Sequence, residues 1–227
     1  MTKVFAHRGS AGESPENTVA AFLNAGLLAA DGVELDVRRS GDGALVVHHD
    51  ALIEGLGPIS DLDVASLPGD VPLLSEVLTA CGTMTVNVEI KNDPSEPGYD
   101  PTDALAQQVV DEIIELGWRS KVIISSFDRD CLDAVRRADA EIPIGWLLSP
   151  QSPVPDLFDA LIRHGFDAVH PFFLFVDERF VEEARGAGVA INTWTVNARA
   201  DLERMMTLGV DSVITDDVAL ARSIIDA

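Results

Sequence analysis

Residues 121–148, KVIISSFDRDCLDAVRRADAEIPIGWLL, decide the fold. A strand-like apolar run (121–127) passes into a helix-patterned stretch (129–138) and then into a second apolar run, IGWLL (144–148). A strand, a helix and a strand in that order make one crossover unit, which sets the two strands parallel. The unit recurs in both directions. Towards the C-terminus come helix 156–164, strand AVHPF (168–172), helix 178–187, strand INTWTV (191–196), helix 198–208, strand SVITD (212–216) and helix 218–225. Towards the N-terminus lie helix 103–116, strand VNVEIK (86–91), helix 73–81, strand VELDV (33–37), helix 17–30 and strand VFAHRG (4–9).

One arm breaks the alternation. After VELDV, the run RRSGDGALVVHHD reads as a hairpin, with Gly41-Asp42-Gly43 as turn residues and 44–47 as the returning strand. With that arm left out, eight strands remain, each followed by a helical or loop segment. Eight such units in about 200–250 residues predict an α/β fold of the (β/α)8 TIM-barrel type, with a β-hairpin extension after strand 2, spanning residues 1–227 as one domain. An open doubly wound sheet fits less well, because no GxGxxG follows the first strand. The stretch NDPSEPGYDP (92–101) reads as a loop above the barrel mouth.

Composition excludes several classes. The formal net charge is −22, and Lys3, Lys91 and Lys121 are the only lysines, so a nucleic-acid partner is not expected. No stretch approaches the ~20 apolar residues of a membrane span, and the N-terminus lacks the pattern of a secretory signal, so the expectation is a cytoplasmic protein without stable membrane association. Cys81 and Cys131 have no metal-ligand spacing and read as reduced, partly buried thiols. The sequence leaves the oligomeric state open.

The chemistry concentrates at strand ends, where a barrel collects its functional groups. Arg8, Asp36, Lys91, Asn197 and Asp216 all lie at or just past one. Glu34 and Asp36 are two apart on a strand and so share a face, and Glu89 and Lys91 repeat that geometry. Three carboxylates facing one cavity repel one another unless a hard cation sits among them, and oxygen-only ligation favours Ca²⁺ or Mg²⁺ over Zn²⁺. The plainer alternative is a scaffold in which Glu34 and Asp36 pair with Arg8 and Arg38. His7 and His49 flank the carboxylates, and two imidazoles that titrate near neutrality can serve as general base and general acid. Hydrolysis of a phosphodiester needs that pair, with a cation and Arg8 to neutralise the non-bridging oxygens. Strand alternation points His48 away from His49, His170 could face the cavity, and His164 reads as structural.

These residues carry a resemblance. His7-Arg8-Gly9, Pro15-Glu16-Asn17-Thr18, Glu34-Leu35-Asp36, His49-Asp50, Glu89-Ile90-Lys91, Trp194-Thr195-Val196-Asn197 and Gly209-Val210-Asp211 through Thr215-Asp216 resemble, in order and in strand placement, the motif series of the glycerophosphodiester phosphodiesterase family. The resemblance implies a Ca²⁺- or Mg²⁺-dependent hydrolase acting on a small-molecule partner, a deacylated phospholipid such as glycerophosphocholine, to give glycerol 3-phosphate and an alcohol. It implies His7 and His49 as the acid/base pair, Glu34, Asp36 and Glu89 as metal ligands, and Arg8 and Lys91 as phosphate-binding groups. Attack by the substrate's own glycerol hydroxyl, through a cyclic phosphate, is the mechanism it implies. Glu16, Asn17 and Trp194 match positions near the site, with a helix N-terminal cap the equal alternative for Glu16 and Asn17.

One segment departs from the family pattern. Family members usually carry a longer insertion after the His-Asp motif, with an Arg-Thr-Thr-like run, whereas here 51–72, ALIEGLGPISDLDVASLPGDVP, is short and holds no Arg or Lys. Substrate preference is therefore open. The competing readings are a lysophospholipid-cleaving, phospholipase D-like lyase on the same barrel, and a non-catalytic binding protein. Binding alone requires no acid/base pair, which argues against the latter.

Overall fold

The computed structural model describes residues 1–9, 14–150 and 154–226. Eleven strands are defined among these residues: β1 (Lys3–Ala6), β2 (Gly32–Arg39), β3 (Leu45–Val47), β4 (Leu52–Ile53), β5 (Gly57–Pro58), β6 (Thr85–Ile90), β7 (Val122–Ser126), β8 (Ile144–Leu147), β9 (Ala168–His170), β10 (Ala190–Thr193) and β11 (Ser212–Thr215). Eight of them pair in parallel in the order β1-β11-β10-β9-β8-β7-β6-β2, and Phe5↔Gly32 and Ala6↔Val33 join β1 to β2, closing the barrel. Helices α1 (Val19–Leu27), α2 (Leu74–Cys81), α3 (Ala104–Glu115), α4 (Arg129–Ala138), α5 (Leu157–His164), α6 (Glu178–Ala187), α7 (Arg199–Leu208) and α8 (Val218–Ile225) connect them. The (β/α)8 expectation holds, and the helix limits agree within a residue or two except for α1.

Alternation along each strand sorts the residues. Val33 and Leu35 on β2, Val86, Val88 and Ile90 on β6, Ile124 on β7, Ile144 on β8, Val169 on β9, Ile191 on β10 and Val213 on β11 are buried in one core between sheet and helices. Each such side chain contributes roughly 1.5–3 kcal/mol on burial. The intervening positions on β2 and β6 carry Glu34, Asp36, Asn87 and Glu89. Asp128, Asp177 and Asp217 accept hydrogen bonds from the first-turn amides of α4, α6 and α8, which fixes the starts of those helices.

The N-terminal segment differs most from its sequence pattern. Strand β1 stops at Ala6 instead of running to residue 9, because Arg8 and Gly9 take φ of 54° and 65°. Helix α1 is similarly shorter than 17–30, being bounded by left-handed Asn17 and Ala29 at φ 57° and 58°. Gly9 could not be replaced cheaply, since a Cβ there would lie 2.7 Å from Cδ1 of Phe22.

The hairpin forms as expected. β2 runs past the barrel rim and pairs antiparallel with β3 through Val37↔Val47, Arg38↔Val46 and Arg39↔Leu45. Beyond β3 the short insertion is an ordered lobe. β4 and β5 pair antiparallel, and Val46, Ile53 and Ile59 form a small apolar cluster with Leu62, Val64, Leu67, Val71 and Leu73 against it.

Inside the barrel, His170 is fully buried, its Nε2 3.0 Å from Nδ2 of Asn192, whose Oδ1 accepts from Ser212 Oγ at 2.6 Å. The ring thus faces the barrel interior below the mouth. Room for it exists because residue 145 has no side chain: a Cβ on Gly145 would stand 2.3 Å from His170 Nε2. Gly145→Ala should therefore destabilise the fold by about 1–3 kcal/mol through overpacking, read as a lowered denaturation midpoint.

Burial also depresses the His170 pKa to about 3, so the folded state holds the ring neutral. The unfolded chain takes up a proton near pH 6.5 and the folded one does not, so this group's contribution is complete above pH 6.5 and is lost as pH falls towards 3. Between pH 7 and pH 5 the loss should be about 2 kcal/mol. Urea midpoints of the wild type and His170→Gln across that interval check it; equal slopes would show that His170 is not responsible.

Candidate active site

The backbone turn after β1 builds one wall of the site. Arg8 in the left-handed region turns its amide towards β2, where it donates to Glu34 Oε2 at 3.0 Å, while its carbonyl accepts from the Asn17 amide at 2.8 Å. Its guanidinium reaches Glu16 Oε1 at 2.8 Å and Asp36 Oδ2 at 3.3 Å. A non-glycine residue in this conformation costs of order 1–3 kcal/mol and persists only where surrounding bonds over-determine it.

β2 and β6 supply the acids. Parallel register pairs Asp36 with Glu89, and ligand atoms of Glu34, Asp36 and Glu89 all lie within 4.8 Å of one another. All three are buried, at 4%, 1% and 8% exposure. Lys91 Nζ sits 3.1 Å from Asp36 Oδ1 and 2.8 Å from Glu89 Oε1. Charge is therefore shared unevenly. Burial opposes ionisation of Asp36, but Lys91 and Arg8 outweigh it and hold that carboxyl below the usual range. Burial, reinforced by Asp36, pushes Glu34 up, and burial also raises Glu89 in spite of Lys91. Two buried carboxyls thus remain undercompensated by the protein's own cations. A hard divalent cation fits that donor set, because it would supply the missing positive charge to oxygen ligands.

The two imidazoles come to the site from different parts of the chain, and only His7 touches one of the three acids among the described residues. His7 Nδ1 lies 2.7 Å from Asp216 Oδ1, and its Nε2 is 4.0 Å from Glu34 Oε2. Burial works against protonation of His7, yet the Asp216 hydrogen bond and Glu34 prevail and raise its pKa. Asp216 is itself fixed by Asn197, whose Nδ2 donates to its Oδ2 at 2.6 Å and whose Oδ1 accepts from its amide at 2.9 Å. His49 returns through the hairpin. The His48 amide donates to Asp36 O at 2.9 Å, and His49 Nδ1 lies 2.7 Å from Asp50 Oδ1.

All the sequence-selected residues other than Trp194 are therefore joined by contacts or adjoining strands at one barrel mouth, but some partnerships differ from expectation. Asn17 and Glu16 do not cap α1. Thr18 does, through Oγ1 to the Ala21 amide, which leaves Asn17 Nδ2 to donate to Asp36 Oδ2 at 2.8 Å and Glu16 to hold Arg8. Of the two arginines in the scaffold alternative, Arg8 does reach the acids, whereas Arg38 binds the His49 carbonyl and Glu96. The link from Asp216 to His7 was not legible beforehand; a carboxylate and an asparagine at the ends of two late strands were its only trace. Trp194 donates from Nε1 to the His170 carbonyl and packs edge-on against Phe127 and Phe172.

Two cavities flank these groups. One, of about 660 Å³, is lined by Glu89 and Lys91 and by Phe127, Trp146, Leu148 and residues of the 92–96 loop. The other, of about 490 Å³, is lined by Glu16, Asn17, His48, Asp50 and part of the short insertion.

Arg8 and Lys91 beside buried acids, on the strand ends of a closed barrel where such folds carry their catalytic groups, define a barrel-fold enzyme. The chain belongs to the glycerophosphoryl diester phosphodiesterase family, matching its sequence model over residues 7–220. It is 35% identical to a glycerophosphodiester phosphodiesterase of Caldanaerobacter subterraneus over 95% of this chain and 94% of that one. Among solved structures, a putative glycerophosphoryl diester phosphodiesterase from Silicibacter pomeroyi superimposes with a TM-score of 0.90 at 26% identity, covering 100% of this chain and 94% of the other. An Oleispira antarctica phosphodiesterase, solved in complex with the product sn-glycerol-3-phosphate, gives 0.86 at 25% identity, covering 100% and 98%.

Proposed function

We propose that the protein hydrolyses glycerophosphodiesters to glycerol 3-phosphate and an alcohol, with His7 and His49 as the acid/base pair. The observation that carries this reading is a buried carboxylate trio with His7, Arg8 and Lys91 against it, and with the hairpin end that bears His49 bonded to the backbone of Asp36 through the His48 amide. Arg8 and Lys91 take the non-bridging phosphate oxygens, and the two cavities receive the two substituents of the diester. One imidazole accepts the proton of the attacking glycerol hydroxyl and the other donates to the departing alkoxide; water then opens the resulting cyclic phosphate by the reverse proton transfers. Asp216 orients His7 throughout. Glu34, Asp36 and Glu89 would hold Ca²⁺ or Mg²⁺, which when bound supplies positive charge to the phosphate as negative charge builds on it.

The reading also takes residues 1–227 as one domain acting on a soluble small molecule in the cytoplasm. No helix among the described residues is long and apolar enough to cross a membrane. Cys81 and Cys131 are free and buried, and burial pushes both thiols up to about 12.

Activity on a panel of glycerophosphodiesters, with Ca²⁺, Mg²⁺, Mn²⁺ or chelator and with product identification, tests the proposal. Glycerol 3-phosphate should form and chelator should abolish its release. Persistent cyclic phosphate without glycerol 3-phosphate would exclude the hydrolase reading, and full activity in EDTA would exclude the cation.

A second reading has an observation of its own. Phe127 and Phe175 stand 40% and 46% exposed and are linked to Trp194 by ring contacts, Phe127 directly and Phe175 through Phe172, with the 64%-exposed Leu174 next to Phe175 in the chain. Phe127 also lines the 660 Å³ cavity, so exposed apolar side chains beside it could take an acyl chain, and lysophospholipids belong in the same panel.

A further inference from the structure

Arg38 sits on β2 two residues past Asp36, with its side chain 6% exposed. A guanidinium is costly to bury, and here its hydrogen bonds go to two places. Nε and Nη2 both donate to the His49 carbonyl, at 2.8 and 2.5 Å, and Nη2 also donates to Glu96 Oε2 at 2.8 Å. Three pieces of chain meet on this one fork: the strand that bears Glu34 and Asp36, the hairpin end that bears His49, and the 92–101 loop over the mouth. The His49 ring, by contrast, is 36% exposed, and among the described residues its one ring partner is the 73%-exposed Asp50. A ring so lightly held from outside takes its place from its backbone.

We propose that Arg38 is a positioning residue for His49, and that Glu96 orients Arg38 from the loop. The inference rests on the acid/base reading of His49 given above. Arg38 touches no reacting atom. It acts by fixing the peptide from which the His49 ring projects, at a spot where a misplacement of about 1 Å costs roughly 100-fold in rate. Arginine suits the role because its planar fork can grip one carbonyl twice and a carboxylate once, whereas lysine offers a single point of charge.

The test uses the full chain with Arg38→Met, Arg38→Lys and Glu96→Ala. For Arg38→Met, kcat should fall by roughly 100-fold, with KM for glycerophosphocholine and affinity for Mg²⁺ each within about threefold of wild type, since Glu34, Asp36, Glu89 and the phosphate cations keep their partners. Arg38→Lys keeps the charge and loses the fork, and should lose at least about 10-fold in kcat; Glu96→Ala should lose less than either. Independently of turnover, the NMR signal of the His49 ring Cε1–Hε1 should split or broaden in Arg38→Met and Arg38→Lys while that of His164 is unchanged. If wild type turns over no phosphodiester, the functional reading fails, and the ring signal alone decides the positioning role. If Arg38→Met does not fold, Arg38→Lys carries the test. Wild-type kcat with an unmoved His49 signal in a folded variant would overturn the proposal, as would kcat and Mg²⁺ affinity falling in parallel.

Discussion

Replacing His49 by alanine is expected to lower kcat by roughly 10²- to 10⁴-fold, the range contributed by a positioned proton donor or acceptor. The ring is 36% exposed and among the described residues its Nδ1 meets only the outward-lying Asp50, so truncation should leave folding intact. Denaturation midpoints near the wild-type value, together with KM within about threefold, would assign the loss to the chemical step. His7→Ala should lose kcat over the same range but also some stability, because it strips Asp216 and Glu34 of a partner in a more enclosed place. Steady-state kinetics beside thermal unfolding separates the two. Near-normal turnover in His49→Ala would refute the acid/base assignment.

Lys91→Met should have the largest effect on stability. Lys91 is the shared counter-charge of Asp36 and Glu89, and its side chain is 12% exposed. Burial lowers its pKa, but Glu89 and Asp36 raise it further, so the ammonium is charged throughout the working range. Removing one partner from a buried charge cluster costs about 3–5 kcal/mol, and here it leaves Glu89 with no ion-pair partner among the described residues and Asp36 with Arg8 alone. In chelator the variant should therefore unfold well below wild type. Saturating Ca²⁺ or Mg²⁺ should recover part of the deficit, since a cation binding only the folded state stabilises by mass action. An equal deficit with and without cation would show that the carboxylate trio does not hold one, and no deficit would show that Lys91 is not its counter-charge.

Much of the barrel was legible because each strand is bounded by a change of period. Val33 and Leu35 alternate with Glu34 and Asp36, and Val86, Val88 and Ile90 alternate with Asn87 and Glu89, so one face of each strand declares a core and the other a site. The clearest helix limits, 129–138, 178–187 and 218–225, stand where an aspartate caps the first turn. The limits that shifted lie where the backbone enters the left-handed region. Arg8, Asn17 and Ala29 do so, and nothing in an arginine or an alanine announces it.

The sequence by itself determined the class of the protein: a βα repeat whose strand ends carry His7, Glu34, Asp36, Glu89 and Lys91. This was possible because period and residue type are local properties of the chain. Tertiary structure alone decided who holds whom. Asp216 meets His7 across 209 positions of chain, Glu96 meets Arg38 across 58, and Asn17 leaves its helix end to bind Asp36. Those pairings follow from barrel closure and, for Asn17, from the left-handed backbone of Arg8 and Asn17 at the mouth, and neither is written in any short stretch. The division has a physical cause. Hydrophobic patterning is additive along a strand, whereas a buried charge finds its partner only after the strands are registered, and the cost of leaving it unpaired is then what fixes the geometry.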